Sequence, residues 1–329
     1  MSELYSTKGD YGLRFLHEPP NPTVDIVFVH GLTGNRQTTW TWSHKKETVF
    51  WPRDLLKEDL PNARIMTFGY DADIVHALSI AGSNTLRDHG KSFAHELAMR
   101  RKRTGAEHRP LIFVAHSLGG LVIEQALLVC RGDAQAYFKS VLSSTFGILF
   151  IGTPHAGSGK ADLMKPLASL GKVLRASNSA LVGVLKPGSE MLANLQQEFH
   201  GMLEDRRRND NSLIEIFCFY EELEVEVVGK IVPNSSAILN NYGSRSIHGN
   251  HMQIARFSSK TDQGYVAVSD QLWTWVETIE SRALPESTTD VPNQMNQRSI
   301  ESGGGPIFLG TATAGRDFKL FNSTQTHQY

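Results

Sequence analysis

Short apolar runs, rich in β-branched residues, recur along the chain and are separated by stretches whose apolar positions fall three and four apart. The runs at 24–29, 64–69, 111–115, 147–152, 213–220 and 225–232 predict strands. They lack the polar–apolar alternation of a half-exposed sheet, so the strands are expected to be covered on both faces. Helices are predicted between them. In 86–103, Phe93 and Leu97 stand one turn apart, and the basic run Arg100–Arg103 before Thr104 and Gly105 suits a helix C-terminus. A helix over 118–130 follows its strand directly, and 265–279 gathers Tyr265, Val268, Leu272, Trp275, Val276 and Ile279 on one face. This alternation predicts an α/β fold: a mostly parallel central sheet with helices on both faces. A long helical segment, with Leu163, Leu167, Leu181, Leu195, Phe199 and Met202, lies between the strands ending near 152 and starting near 213. It reads equally as a lid over the sheet edge or as ordinary packing helices.

Composition narrows the function classes. The 329 residues are 40 % hydrophobic and 20 % charged with a net charge of −1, which removes any global electrostatic reason to bind nucleic acid or anionic membranes. Cys130 and Cys218 both lie in apolar runs and read as buried free thiols, so neither a disulfide framework nor a cysteine metal cage is expected. The first twenty residues lack a signal-like apolar core, and no apolar run approaches the ~20 residues of a membrane helix. The expectation is a soluble, cytoplasmic protein. From Ser281 to Tyr329 only 14 of 49 residues are apolar, and Ser, Thr, Asn, Gln and Gly dominate. The chain is therefore expected to divide into a globular domain, 1–280, and a polar C-terminal tail, 281–329, whose 306–310 and 318–321 segments are β-prone and suited to self-association or partner pairing.

The chemistry concentrates where the strand at 111–115 runs through Ala115-His116-Ser117-Leu118-Gly119-Gly120 into a helix. A serine on a sharp strand-to-helix turn needs small neighbours two before and two after it, and Ala115 and Gly119 supply them. Ser117 is the candidate nucleophile, and a plain helix cap is the alternative. An acylating serine needs backbone donors for the oxyanion: the N–H of Leu118 is one, and the turn His30-Gly31-Leu32 after an earlier strand offers the N–H of Leu32 as the other. In the chain order of the nucleophile-elbow hydrolases the base follows the last strand, where His248 and His251 both stand. The residues alone leave that choice open. The acid is expected at the end of an intervening strand, where Glu221 and Glu222 stand, with Asp162 as the alternative.

Phe-Val-His-Gly-Leu at 28–32, Ala-His-Ser-Leu-Gly-Gly at 115–120, Gly-Thr-Pro-His-Ala-Gly-Ser at 152–158, Phe-Tyr-Glu at 219–221, Ser-Ala-Ile-Leu at 236–239 and Asn-His at 250–251 occur in this order. Together they resemble the serine esterase family of α/β-hydrolases related to the serine active site containing protein and, more distantly, to the GPI inositol-deacylases. The resemblance covers about residues 24–280 and implies an α/β-hydrolase fold with Ser117 as nucleophile, Glu221 as acid and His251 as base. It gives His155 a motif position without a role. Similar domains stand at the N-terminus of fungal STAND receptors, before a NACHT module. This chain lacks the G-x-x-x-x-G-K-[ST] phosphate loop of such a module.

The expected function is hydrolysis of a carboxylic ester, lipid esters foremost, through an acyl-enzyme, with no metal and no organic cofactor. The competing reading is a STAND-type effector domain that uses the hydrolase fold mainly for signalling or scaffolding.

Overall fold

The structure, a computed structural model, describes residues 11–31, 34–70, 80–155, 189–210, 212–225, 229–239 and 241–283. Its strands in chain order are β1 (Gly12–His17), β2 (Val24–Val29), β3 (Thr41–His44), β4 (Glu47–Phe50), β5 (Ala63–Gly69), β6 (Leu111–His116), β7 (Thr145–Ile151), β8 (Glu215–Glu221) and β9 (Gly243–Ile247). The longer helices are α1 (Ile80–Arg103), α2 (Gly119–Gly132), α3 (Ala136–Ser144), α4 (Ser189–Asp205) and α5 (Gln263–Ala283). The main sheet runs β1-β5-β2-β6-β7-β8-β9, with β1 antiparallel to β5 and every other pairing parallel, while β3 and β4 form a separate hairpin.

The uniform apolarity of the central strands follows from their burial on both faces. In β2, Val24, Ile26 and Phe28 enter one core with Trp40, Trp51 and Leu56 and with Val268, Leu272 and Trp275 of α5. Val27 and Val29 enter the other, with Phe93 and Leu97 of α1, Leu121 and Leu127 of α2 and Phe138 of α3. Leu195, Phe199 and Met202 of α4 are buried in that second core, so the described part of the long intervening segment packs as an ordinary covering helix. Leu163, Leu167, Leu181 and Asp162, like the whole tail beyond Ala283, lie outside the described residues. Cys130 and Cys218 are buried free thiols, and burial pushes the Cys130 thiol up to about 12.

At the amino ends of the strands Asp25 is fully buried and accepts hydrogen bonds from Arg64 Nε and Nη2 at 2.8 and 2.7 Å, Arg109 Nη1 at 2.9 Å and Arg101 Nη1. Arg101 belongs to the basic run at the end of α1. That run is therefore more than a complement to the helix dipole, since one of its cations pins α1 to the sheet.

One strand expectation needs correction. The described residues of 225–232 hold no strand of the main sheet; they hold an isolated bridge between Val225 and Gly229 and then the buried pair Ile231 and Val232. The place beside β8 is taken by β9, Gly-Ser-Arg-Ser-Ile, an edge strand that is mostly exposed and so has no apolar pattern to betray it. The basic run Arg206–Arg208 is split. Arg206 is buried and donates to Leu142 O at 3.1 Å, whereas Arg207 and Arg208 are exposed against Glu204.

Candidate active site

Ser117 leaves β6 with φ = +54°, in the left-handed region that L side chains rarely adopt. Its N–H donates to Ile151 O at the end of β7, 2.9 Å away, which fastens the turn to the neighbouring strand. Helix α2 starts at once and is pressed against β2. A Cβ at Gly119 would sit 2.4 Å from Val29 O and 2.5 Å from His30 O, so glycine is the residue the elbow admits there. The approach from the other side is as close, because a Cβ on Gly31 would meet the Ser117 Cβ at 2.6 Å. The His30-Gly31 turn thus lies directly against the serine, and Leu32 itself lies outside the described residues. Among the described residues no acceptor takes the N–H of Leu118, which stands at the helix N-terminus where such a donor is free.

His251 is buried on a turn after β9 that Asn250 builds: the Asn250 side-chain oxygen accepts the N–H of Met252 at 3.1 Å and of Gln253 at 3.2 Å. Trp51 Nε1 anchors the far end by donating to Ala255 O at 2.9 Å. The ring then reaches both ways. His251 Nδ1 lies 3.1 Å from Glu221 Oε2 and Nε2 lies 3.0 Å from Ser117 Oγ. A carboxylate only accepts, so Nδ1 holds the proton and the Nε2 lone pair faces the hydroxyl.

Glu221 ends β8 and is buried, and its second oxygen accepts the N–H groups of Ile231 at 2.6 Å and Val232 at 2.9 Å. These amides are the polar groups the sequence reading missed, because an apolar stretch assigned to a strand implies backbone bonds to a neighbour rather than to a carboxylate. Ser117, Glu221 and His251 are thus brought together. Asp162 lies outside the described residues. The alternatives Glu222 and His248 are exposed and pair with each other at 3.0 Å, with Ser246 Oγ donating to Glu222. Among the described residues no group of three or more metal-ligating side chains converges.

His116, next to the serine, stands at the wrong point in the chain order for the base and holds another place in the site. It is buried and donates from Nε2 to His251 O at 2.9 Å, its ring 5.0 Å from that of His251. Burial, reinforced by the neighbouring His251, pushes its imidazole down to about 3, so it serves as a neutral donor that steadies the turn. His30 stacks on Tyr70 at 4.4 Å and accepts the Tyr70 N–H at 3.2 Å. Beside the His251 turn a cleft of about 710 Å³ opens, lined among others by Trp42, Leu223, His248, Arg256 and Phe257.

Comparison with known proteins places the chain in a family. Residues 21–192 match the family model described as "Putative serine esterase (DUF676)", a span that includes Ser117 and ends before Glu221 and His251. Protein SERAC1 of Danio rerio is 30 % identical over 252 residues, covering 72 % of this chain and 36 % of that protein, and Protein SERAC1 of Homo sapiens is 26 % identical over 252 residues with the same coverage. The chain spans about a third of the length of these curated relatives. Among solved structures, Bacillus licheniformis lipase BlEst2 is 19 % identical with a TM-score of 0.46, over 80 % of this chain and 99 % of that one. With more than half its length matched by the family model, the chain belongs to the DUF676 serine esterase family.

Proposed function

We propose that this protein hydrolyses carboxylic esters through an acyl-enzyme, with Ser117 as nucleophile, His251 as general base and acid, and Glu221 as the group that holds the histidine. The observation behind this reading is the pair of contacts at His251, 3.0 Å to a serine in left-handed elbow geometry and 3.1 Å to a buried carboxylate. His251 Nε2 takes the Ser117 proton as Oγ bonds to the substrate carbonyl carbon, and the carbonyl π electrons move to the oxygen. The resulting oxyanion is stabilised by the Leu118 N–H and, as the second donor, the Leu32 N–H. The protonated ring then gives its proton to the departing alkoxide, leaving Ser117 acylated. Water repeats the sequence: His251 takes its proton, the hydroxide adds to the acyl carbon, and Ser117 Oγ leaves with the proton returned.

Two amides and the histidine N–H converge on Glu221, which fixes the orientation of its carboxylate towards the ring. Lipid esters are the substrate class put first, supported by the cleft beside His251, where Trp42, Leu223 and Phe257 stand with polar groups. The test is covalent labelling of purified protein by a fluorophosphonate probe, followed by p-nitrophenyl esters of graded chain length. Labelling at Ser117 with turnover that rises with chain length is expected. A folded protein that neither labels nor turns over any ester defeats the proposal and favours a signalling or scaffold domain.

A further inference from the structure

His155 follows β7 in the Gly-Thr-Pro-His segment and is fully buried, yet it takes no part in the chemistry above. Its Nδ1 lies 3.2 Å from Oε1 of Glu124, also fully buried, and neither atom has an aligned hydrogen bond, so the contact is one of charge. Glu124 sits on α2 two turns after Ser117, and its other oxygen accepts from Gln196 of α4. The backbone of His155 is bonded in both directions to one residue: its N–H donates to Ser236 O at 2.6 Å, and Ser236 Oγ donates to His155 O at 2.7 Å. Ser236 and Ala237 fold back on Pro233 through N–H bonds of 2.8 and 3.0 Å, and directly before Pro233 stand Ile231 and Val232, whose amides hold Glu221.

These contacts close a circuit. It runs from Ser117 along α2 to Glu124, across to His155, through Ser236 to the turn at 231–233, and back by Glu221 and His251 to Ser117.

We propose that the buried Glu124–His155 ion pair is a positioning element of the active site, tying the nucleophile's helix to the turn that holds Glu221 and so setting the reach of Glu221 to His251. The ring's surroundings support a charged pair. Burial alone depresses the imidazolium, but contacts with Cys218 of β8 and with Glu124 outweigh it and raise His155 to about 9. The titratable groups that face it are Glu124 from α2, Cys218 from β8 and His200 from α4, whose own imidazolium is pushed down chiefly by burial. At neutral pH His155 is thus a cation beside a carboxylate. Above about 9 it loses its proton and the buried carboxylate loses its partner.

The kinetic arm of the test rests on the esterase reading, and the spectroscopic arm does not. In the full chain, Glu124→Gln keeps shape and removes charge, and His155→Gln removes the partner. The first readout is the low-field Nδ1 proton of His251 by NMR, which reports its bond to Glu221 whether or not the protein turns over an ester. It is expected to be sharp in the wild type, to fade as pH rises through about 9, and to be shifted or lost in both variants while they remain folded. The second is the fluorophosphonate labelling rate per folded molecule against pH. A fall of up to about a hundredfold at neutral pH is expected, the order of cost of a misplacement near 1 Å, along with loss of the wild-type alkaline limb near 9 in Glu124→Gln. A merely structural pair lowers the melting temperature and leaves both readouts unchanged, which overturns the inference. Wild type that never labels defeats the esterase reading alone, and the proton of His251 then decides this one. Should both variants fail to fold, a wild-type proton that is indifferent to pH across 8–10 overturns it.

Discussion

Glu221 with His251 and Glu222 with His248 pair the same residue types, drawn from adjacent positions at one strand end and from one loop, at separations of 3.1 and 3.0 Å. Their surroundings differ completely. The side chains of the first pair are 1 % exposed each, and those of the second are 43 % and 77 % exposed for Glu222 and His248. The inner carboxylate is also bound by two backbone amides and its histidine by a serine, while among the described residues the outer pair's side chains gain a hydrogen bond from Ser246 and otherwise face solvent. The distance between an acid and an imidazole therefore says little about chemistry. What distinguishes the inner pair is removal from water, which strengthens each contact, and a third group placed to receive the effect.

The largest way to break the comparison is at its centre. His251→Ala and Ser117→Ala are each expected to lower ester turnover by about 10⁴-fold or more and to abolish fluorophosphonate labelling, with the fold retained by circular dichroism. If His251→Ala keeps wild-type rates while His248→Ala is inactive, the roles of inner and outer histidine are exchanged.

Next comes Glu221→Gln, which preserves shape while replacing one acceptor oxygen by an amide nitrogen. If that nitrogen turns to the histidine, the ring must present a lone pair at Nδ1 and its proton at Nε2, the wrong tautomer for a base. If it turns to Ile231 and Val232, two buried N–H groups face a donor. A loss of about 10³- to 10⁴-fold in kcat is expected, measured with p-nitrophenyl esters. A loss below tenfold shows that another carboxylate serves.

The choice between the pairs also marks how far the sequence could be read. Central strands such as β2 and β6 were legible because burial on both faces leaves a continuous apolar run, and the elbow was legible because crowding restricts residue types around Ser117. The residues alone left His248 and His251 tied, since a three-residue displacement within one loop cannot be resolved without knowing which way the turn faces. The resemblance to a family, not composition, favoured His251. Strand β9 was missed because an edge strand with solvent on its side chains has no apolar signature, and 225–232 was misread because Ile231 and Val232 are apolar for burial in a turn rather than in the sheet. Backbone amides have no letter in the sequence, which is why the two donors that hold Glu221 could be found only in the fold.

A third prediction sharpens the role of burial through stability. His116 is held to about 3 by burial, against about 6.5 for a histidine in the unfolded chain. Between those values the unfolded state binds the extra proton, so stability falls as pH drops from about 6.5 towards 3, at up to about 1.4 kcal/mol per pH unit from this group. His155 has the opposite sign: raised to about 9, its contribution is fully present below about 6.5 and is lost as pH rises through 9. Urea melts across this range should show maximum stability between the two limits, and His116→Asn should flatten the acid side. An acid limb identical in wild type and variant removes His116 as its source.

The smallest expected effect belongs to the outer pair, and it is the most informative about the comparison. Glu222 is held below the usual carboxylate range by its hydrogen bond from Ser246 and then by His248. That stabilisation is present above its unfolded value and is lost as pH falls through the lowered one, a window well below neutrality. In solvent the pair is screened by salt and held by mobile side chains. Strand pairing supplies the alignment without it, since Glu222 N–H donates to Ile247 O at 3.2 Å and Leu223 N–H to Gly249 O at 3.1 Å. Glu222→Gln and His248→Ala should therefore leave kcat within about twofold of wild type in moderate salt, the range expected of an exposed ion pair. KM has more room to move, because His248 lines the cleft beside the His251 turn. A change in KM with kcat unchanged assigns His248 to substrate contact. A fall in kcat of tenfold or more, insensitive to salt, shows instead that the outer pair holds the inner one in place and that the two are a single unit.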